Sequence, residues 1–492
     1  MSPGLADWAE RLFPKPGSRE HLVAARQPWV IEGQVVYELA AYLAECYGCR
    51  RILSLGHERV SSLVRLPEKP GPAASSDPLP LEHWAVRTSI PHDFERATFK
   101  PPRRARASGS ILVCAGAVEH LVHPEHLLAT LRNLLSDAPA AIITTRLRPA
   151  SERVAPPADS GRVRDWSLAE FRELLENAGL QVLFDGMASS SDPDRQQSTI
   201  LAIAREPRPE PVVPAAFRVV AFVGAYNEED VIVPFLEHTI GQGVDVCLLD
   251  NWSTDRTADR AARFLGRGLT SILKFPAGGP SETHEWRSML LRKAELAEQT
   301  EADWFIHVDP DEIRESPWPA LTLREALYRV DQEGFNAVNH TCIVFPPTGD
   351  GFRCDLPLQS QFSHFGFSTR WAHDVQIKGW KRQRGRVDCA INGGHTVEFP
   401  GRRVYPFKFL LRHYPVRSQE HGEKKVFQER LPRFNPELRR NGWHNQYDGF
   451  GPGHSFVQSP NTLLPFDPRT FYDEYLVERL SGIGIARHDS RH

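Results

Sequence analysis

Residues 205–216 read REPRPEPVVPAA, four prolines in twelve positions. Proline fixes φ and removes a backbone donor, so this stretch favours extended polyproline structure over a helix or a buried strand. It reads as a linker that divides the 492-residue chain into two bodies, 1–204 and 217–492. Upstream, helical periodicity (ELAAYLAEC, PEHLLATLRNLL, SLAEFRELLENAG) alternates with short apolar runs (RILSL, SILVCAG, AAIITT, LQVLFDG). Strands alternating with helices predict a parallel sheet. Downstream, FRVVAFVGAYNEED, VDVCLLDNWSTDRT, LTSILKF and DWFIHVDPDE open a second such series. Each is an apolar run that ends in polar residues. Ligands of open α/β sheets bind at the carboxyl ends of strands, so these tails are where chemistry is expected.

Lys+Arg of 59 against Asp+Glu of 62 leaves a net charge of −3, which provides no global field for nucleic acid. An anionic ligand must therefore be gripped locally. No run approaches the roughly 20 apolar residues of a membrane helix, which leaves only peripheral association with a membrane. The opening MSPGLADWAERLFPKPG lacks the basic-then-apolar layout of a signal peptide. Seven scattered cysteines suit a reducing compartment, so the expected location is cytoplasmic.

The strongest chemical signal is DWFIHVDPDEIRE. An apolar strand delivers Asp309 and Asp311 to one turn bent by Pro310, with Glu312 placed to orient them. Two carboxylates so close suit Mg²⁺ or Mn²⁺, which prefer oxygen ligands and bridge diphosphate oxygens. A surface acidic turn is the plain alternative. Tyr226, Asn227 and Glu228 follow one strand, and Asp250 and Asn251 end the next, with Ser253 and Asp255 suited to cap the following helix. His395 follows two glycines that permit close backbone approach. Lys378, Lys381, Arg382 and Arg384 supply positive charge; an exposed basic loop explains some of them equally well.

YNEE, LLDNWSTDRT and HVDPDE, in this order, resemble the family 2 nucleotide-sugar glycosyltransferases with the GT-A fold. That resemblance implies nucleotide-sugar binding by Tyr226, Asn227, Glu228, Asp250 and Asn251, and metal binding by Asp309 and Asp311. VQIKGWKRQ, NGGHTVEF and LLRHYPVRSQEHGEKK look like later motifs of a subgroup, which adds Lys378 and His413 at the diphosphate and His395 at the metal. The usual base motif is missing; Asp374, in FSTRWAHDVQ, is the candidate base. The aromatic loop with Trp443 and Tyr447 either covers an acceptor or is ordinary surface.

The first body resembles class I S-adenosylmethionine methyltransferases through ILSLGHE, the stretch ILVCAGAVEHLVHPEHLLATLRNLL and VRDWSLAEFRELLENAGLQVL. The resemblance implies a cofactor pocket at Gly56, Glu119 and His120. The glycine-rich turn is altered, since Ser54 stands where an acid is useful and His57 fills space near the cofactor. The expected fold is thus α/β in two domains, a Rossmann-like methyltransferase-type sheet followed by a GT-A glycosyltransferase fold. The expected function is metal-dependent transfer from a nucleotide-sugar donor to a glycan or lipid-linked glycan, for a surface or secreted glycan. A methyltransferase, alone or bifunctional and using S-adenosylmethionine, is one alternative. A non-catalytic carbohydrate-binding or scaffold protein is the other.

Overall fold

A computed structural model describes residues 28–57, 81–86, 107–148, 164–188, 199–354, 356–367, 375–440, 447–451 and 453–480. The chain forms two compact units. The first comprises Met1–Pro209 with Tyr472–Glu478 and Ile483–His492, and the second Glu210–Phe471 with Arg479–Gly482.

The first unit holds α1 (Pro28–Tyr47), β1 (Arg51–His57), β2 (Leu81–Val86), β3 (Ser110–Ala115), α2 (Glu125–Leu135), β4 (Ala141–Arg146), α3 (Leu168–Asn177), β5 (Gln181–Ala188) and β6 (Thr199–Arg205). They make one six-stranded sheet in the order β2-β1-β3-β4-β6-β5. β1 to β4 are parallel and β6 is antiparallel to both of its neighbours, the Rossmann-like arrangement expected. β3 is buried at all six positions, as a strand covered on both faces must be. α3 starts where Ser167 accepts from Glu170 N and the Glu170 carboxylate accepts from Ser167 N, a reciprocal cap that satisfies two otherwise orphaned donors.

The second unit contains β7 (Val219–Ala225), α4 (Ile232–Gly241), β8 (Asp245–Asp250), α5 (Thr257–Ala261), β9 (Leu269–Lys274), α6 (Trp286–Gln299), β10 (Trp304–Val308), β11 (Glu312–Glu315), α7 (Leu323–Gln332), β12 (Ala337–Val338), β13 (His340–Val344), β14 (His364–Phe367), β15 (Gly379–Lys381), β16 (Phe409–His413) and β17 (Leu464–Pro465). The main sheet runs β12-β15-β10-β7-β8-β9, and a smaller one β11-β16-β13-β14-β17. β10, β7, β8 and β9 are parallel, while β15 runs antiparallel beside β10. This is the second α/β sheet that the sequence predicts. Its core stacks Phe222 on Phe305 with 5.7 Å between ring centroids, and Phe305 packs on Trp380. Fully burying one such side chain contributes about 1.5–3 kcal/mol, which fixes β10 rigidly beneath the acidic turn that follows it.

Candidate active site

Register brings the polar tails together. Ala225 pairs with Asp250, and Val223 with Val308, so β7, β8 and β10 end at one edge of the sheet. The loops beyond β7 and β8 are then clamped to each other. Asn227 adopts φ 54°, a left-handed conformation that asparagine tolerates, and its N–H donates to Ser253 Oγ at 3.1 Å. Thr254 N donates to Asn227 Oδ1 at 2.8 Å and Glu229 N to Asp255 Oδ2 at 3.1 Å. Ser253 and Asp255 are therefore loop clamps. The expected capping falls to Asp255, whose Oδ1 accepts at 2.9 Å from the N–H of Thr257, the first residue of α5, while Arg256 before it makes no side-chain cap.

The acidic turn is held from below by cations. Glu312 accepts from Lys378 Nζ at 2.9 Å and from Arg314 Nη2 at 2.6 Å, and its Oε2 lies 3.4 Å from Asp309 N. It orients the turn, as the sequence implied. Burial raises the pKa of Glu312, but Lys378 and Arg314 outweigh burial and hold it well below the usual carboxylate range. Asp311 accepts from Lys425 Nζ at 2.8 Å, and its Oδ1 lies 3.8 Å from His413 Nε2. Here too burial is overcome, first by Lys425 and then by His413 and Arg417, and the carboxyl stays charged. Asp309 differs. Burial and the neighbouring Glu312 carboxylate push its pKa up, and its Oδ1 is buried with no hydrogen-bond partner among the described residues.

Lys293 reaches to 4.0 Å from that oxygen and 2.7 Å from His307 Nδ1. Burial lowers the Lys293 pKa to about 8 and keeps His307 neutral. Gly224 makes room for this lysine, since a Cβ there would collide with Met289 and approach Lys293 Nζ to 3.4 Å.

On the nucleotide side, Glu228 Oε2 accepts from Arg417 Nη2 at 2.8 Å, and Asp230 takes the same guanidinium through both oxygens at 2.8 and 2.9 Å. Glu228, Asp230 and His421 offer ligand atoms within 4.8 Å of one another. The fully buried Arg417 is already shared by both of these acids, and His421 Nδ1 accepts from Arg417 N at 3.3 Å. Burial and the Arg417 charge hold the His421 imidazole far below its usual pKa. That trio is an arginine cage. Asp250 is buried, accepts from Ser253 N at 3.1 Å and pairs with Lys274. Asn251 Oδ1 accepts from Arg433 Nη2 at 2.9 Å, and the Arg433 guanidinium stacks 3.9 Å over the Tyr226 ring.

Tyr226, Asn227, Glu228, Asp250, Asn251, Asp309, Asp311, Lys378 and His413 thus share one edge. His395 does not complete a ligand trio with the two aspartates. Its Nδ1 faces Gln376 Nε2 at 3.0 Å, and burial with the Lys378 charge lowers its pKa to about 4. Among the described residues the one trio at ligand-sharing distance is the arginine cage. The glycines before His395 do adopt left-handed φ of 69° and 88°, but a Cβ at Gly394 would meet Leu290 and His307, so protein makes the close approach there. Lys381 pairs with Asp331, and Arg382 and Arg384 are exposed beyond the end of β15 that pairs with Trp304, at the opposite edge of the sheet. Asp374 and Trp443 lie outside the described residues. Tyr447 stacks flat against Phe434.

The sequence reading missed Lys293, Lys425, Arg430 and Arg433. The signal available was a basic spacing, EKKVFQERLPR, immediately after the histidine motif.

The oxygen donors of Asp309 and Asp311 fit a hard divalent cation. Asp309 brings a buried oxygen without a hydrogen bond, and Asp311 a carboxylate whose partners are cationic side chains rather than backbone.

In the first unit, Gly56 lies at the carboxyl end of β1 opposite Ala115, and Ser54 is buried in a 2.5 Å hydrogen bond with Tyr37. Glu119 is buried, its pKa is raised by desolvation, and it accepts from Thr145 Oγ1 at 3.1 Å. His120 is half-buried beside it. The side chain of His57 is outside the described set.

No family profile and no curated protein matches the chain. Solved structures similar to parts of it include S. aureus TarS, at 17% identity over 29% of this chain and 23% of that one, TM-score 0.20. TarS 1-349 in complex with UDP matches at 18% identity over 28% of this chain and 37% of that one, TM-score 0.19. The chain therefore spans between about a quarter and two fifths of these TarS structures. The Burkholderia thailandensis 1,6-didemethyltoxoflavin-N1-methyltransferase, with bound S-adenosylhomocysteine, matches at 12% identity over 35% of this chain and 78% of that one, TM-score 0.22.

Proposed function

We propose that the second unit is a glycosyltransferase that takes a sugar from a nucleotide-sugar donor and passes it to a glycan or lipid-linked glycan. The observation that carries this reading is the convergence of Glu228, Asp250, Asp309 and Asp311 at the carboxyl ends of three adjacent parallel strands, interleaved with Lys378, Lys425 and Arg433. Acids alone would suit a cation, and bases alone an anion. Their mixture suits a nucleoside diphosphate, whose base and ribose offer donors and whose phosphates need positive charge.

Asp250 and Asn251 are the base and ribose contacts of this reading, with Tyr226 as a stacking face. Asp309 and Asp311 would hold Mg²⁺ or Mn²⁺, which supplies charge neutralisation as a diphosphate departs. Lys378 and Glu312 keep the acidic turn in place. Asp374 is carried forward as the proposed acceptor base. The product is assigned to surface or secreted glycan synthesis on the cytoplasmic side, and among the described residues no helix is long and apolar enough to cross a membrane.

Calorimetric titration with UDP, GDP and dTDP, each with and without Mn²⁺, tests the reading. One nucleotide should bind in a Mn²⁺-dependent way, and Asp309→Ala should weaken it by about 10²-fold, the loss of roughly 2–3 kcal/mol expected for a charge-assisted contact. Binding of none of the three rejects it.

A second reading, S-adenosylmethionine binding by the first unit, is favoured by the buried Glu119 carboxyl beside the ends of β3 and β4. Titration with S-adenosylhomocysteine, repeated on Glu119→Gln, decides it; wild-type binding lost in the variant supports it, and no binding removes it.

A further inference from the structure

Lys425 is 5% exposed, and its ammonium lies 2.8 Å from Asp311 Oδ2 and 3.2 Å from Glu228 Oε1. Burial alone would discharge it, but Asp311 and Glu228 overcome that and raise its pKa. Glu228 depends less on this lysine, because Arg417 reaches its other oxygen and Arg430 the same one. Asp311 depends on it more, since the other group at ion-pair distance, His413, is 3.8 Å away and carries charge only if protonated, and Arg417 acts from farther off.

Lys425 also sits in an unusual segment. Lys424–Arg430 is wound as a π-helix, with hydrogen bonds five residues apart. In an α-helix, residues five apart point about 140° away from each other; in the wider turn they lie one above the other. Lys425 and Arg430 accordingly reach the same Glu228 oxygen, at 3.2 and 3.7 Å. The rest of the segment touches the donor site as well. Glu429 accepts from Asn227 Nδ2 at 2.8 Å, and Arg433 engages Asn251 and Tyr226. Residues 425–433 thus lie across the polar ends of both β7 and β8 and reach the acidic turn after β10.

We propose that Lys425 is an internal, displaceable counter-ion: it occupies Asp311 while no diphosphate is present, and moves onto the diphosphate oxygens when the donor arrives, so that a divalent cation gains Asp311 only together with a diphosphate. This rests on the donor-site reading above. A cation that takes Asp311 alone leaves the buried ammonium with Glu228 only, a carboxylate already shared with Arg417 and Arg430. A diphosphate supplies the missing acceptor. By linkage, the factor by which the diphosphate tightens the cation equals the factor by which the cation tightens the diphosphate.

The test uses the full chain as wild type, Lys425→Met and Lys425→Arg, with Mn²⁺ and inorganic pyrophosphate as probes so that no nucleobase need be assumed. Bound Mn²⁺ is measured by electron paramagnetic resonance, with the manganese–pyrophosphate equilibrium in buffer subtracted. In wild type, pyrophosphate should tighten Mn²⁺ by a factor within the usual coupling range of about 5–150. In Lys425→Met, Mn²⁺ alone should bind at least tenfold more tightly, roughly the factor released when the competing charge is removed, and the coupling should fall toward one. Lys425→Arg should keep the coupling.

Thermal midpoints give a second readout. Mn²⁺ alone should stabilise Lys425→Met, which lacks a counter-ion for Asp311, and leave wild type unmoved. Unchanged or weaker Mn²⁺ binding in Lys425→Met, or wild-type Mn²⁺ binding indifferent to pyrophosphate, overturns the role of Lys425 while the donor site stands. Failure of wild type to bind Mn²⁺ and pyrophosphate in any combination overturns both.

Discussion

Arg417 shows what a single residue contributes to this site. Its guanidinium is fully buried and joins Asp230 through two hydrogen bonds and Glu228 through a third, so the buried Glu228 and the half-buried Asp230 from the loop after β7 share one cation between them. Burial disfavours its charge, yet Asp230 and Glu228 more than compensate and raise its pKa further. Arg417→Met would remove the partner of Asp230 and leave Glu228 with Lys425 and Arg430 on one oxygen only, and breaking a buried pair from one side costs about 3–5 kcal/mol. Urea unfolding should show that loss, and Arg417→Lys should recover only part of it, because an ammonium lacks the fork that serves two carboxylates at once. A loss under about 1 kcal/mol, the range of exposed pairs, would mean that water reaches the cage.

Asp309, Asp311 and Asp250 were legible in the sequence, because an acid that closes an apolar strand has one place to go. Lys425 and Arg433 were not. Their meaning depends on which residues they meet, Asp311 for one and Asn251 for the other, and those lie more than a hundred residues away in the chain.

At the scale of elements, hydrophobic runs identified the strands that matter, and the linker composition separated them into two series. Local capping chemistry was equally readable once a helix start was suspected. Thr322 accepts from Glu325 N, and the Glu325 carboxylate accepts from Thr322 N at 2.8 Å, which holds the start of α7 and lowers the Glu325 pKa. Thr322→Ala should cost about 1 kcal/mol in urea unfolding. The double change with Glu325→Ala should cost less than the sum of the singles, since each residue satisfies a donor of the other; strict additivity would show that the reciprocal cap is not formed in solution.

The π-wound segment at Lys424–Arg430 was not legible. EKKVFQER has ordinary helical composition, and the extra residue in its turn is imposed by the carboxylates that Lys425 and Arg430 reach rather than by propensity. The small sheet that carries His413 opposite Glu312 was unreadable for a related reason. It pairs β11 with β16, strands whose register is set across nearly a hundred intervening residues.

For the whole molecule, the two units should respond differently to acid. In the second, burial holds His307, His340, His395 and His421 neutral, with pKa values below that of a free imidazole, down to about 4 for His395. An unfolded chain protonates these rings near pH 6.5. Between about pH 6.5 and 4 the unfolded state therefore binds more protons, so stability falls as pH drops through that window. For His395 alone the span of about 2.5 units corresponds to at most about 3 kcal/mol.

Below about pH 4.5 a second loss begins. Asp311 and Glu312, whose folded pKa values are depressed, lose their contribution as they protonate. Asp309, with a raised pKa, works the other way, but it is one group against four rings. In the first unit the buried Glu119 has a pKa raised by desolvation, so mild acid relieves rather than strains this carboxyl. Hydrogen exchange at pH 6.8 and pH 5.0 separates these cases. Protection in β10 and β13 should drop at the lower pH while that in β3 and β4 holds, and His340→Asn should shrink the difference. Unchanged protection in β10 and β13 would show that these histidines protonate in the folded unit as they do in the unfolded chain, and the neutral state assigned to them would fall.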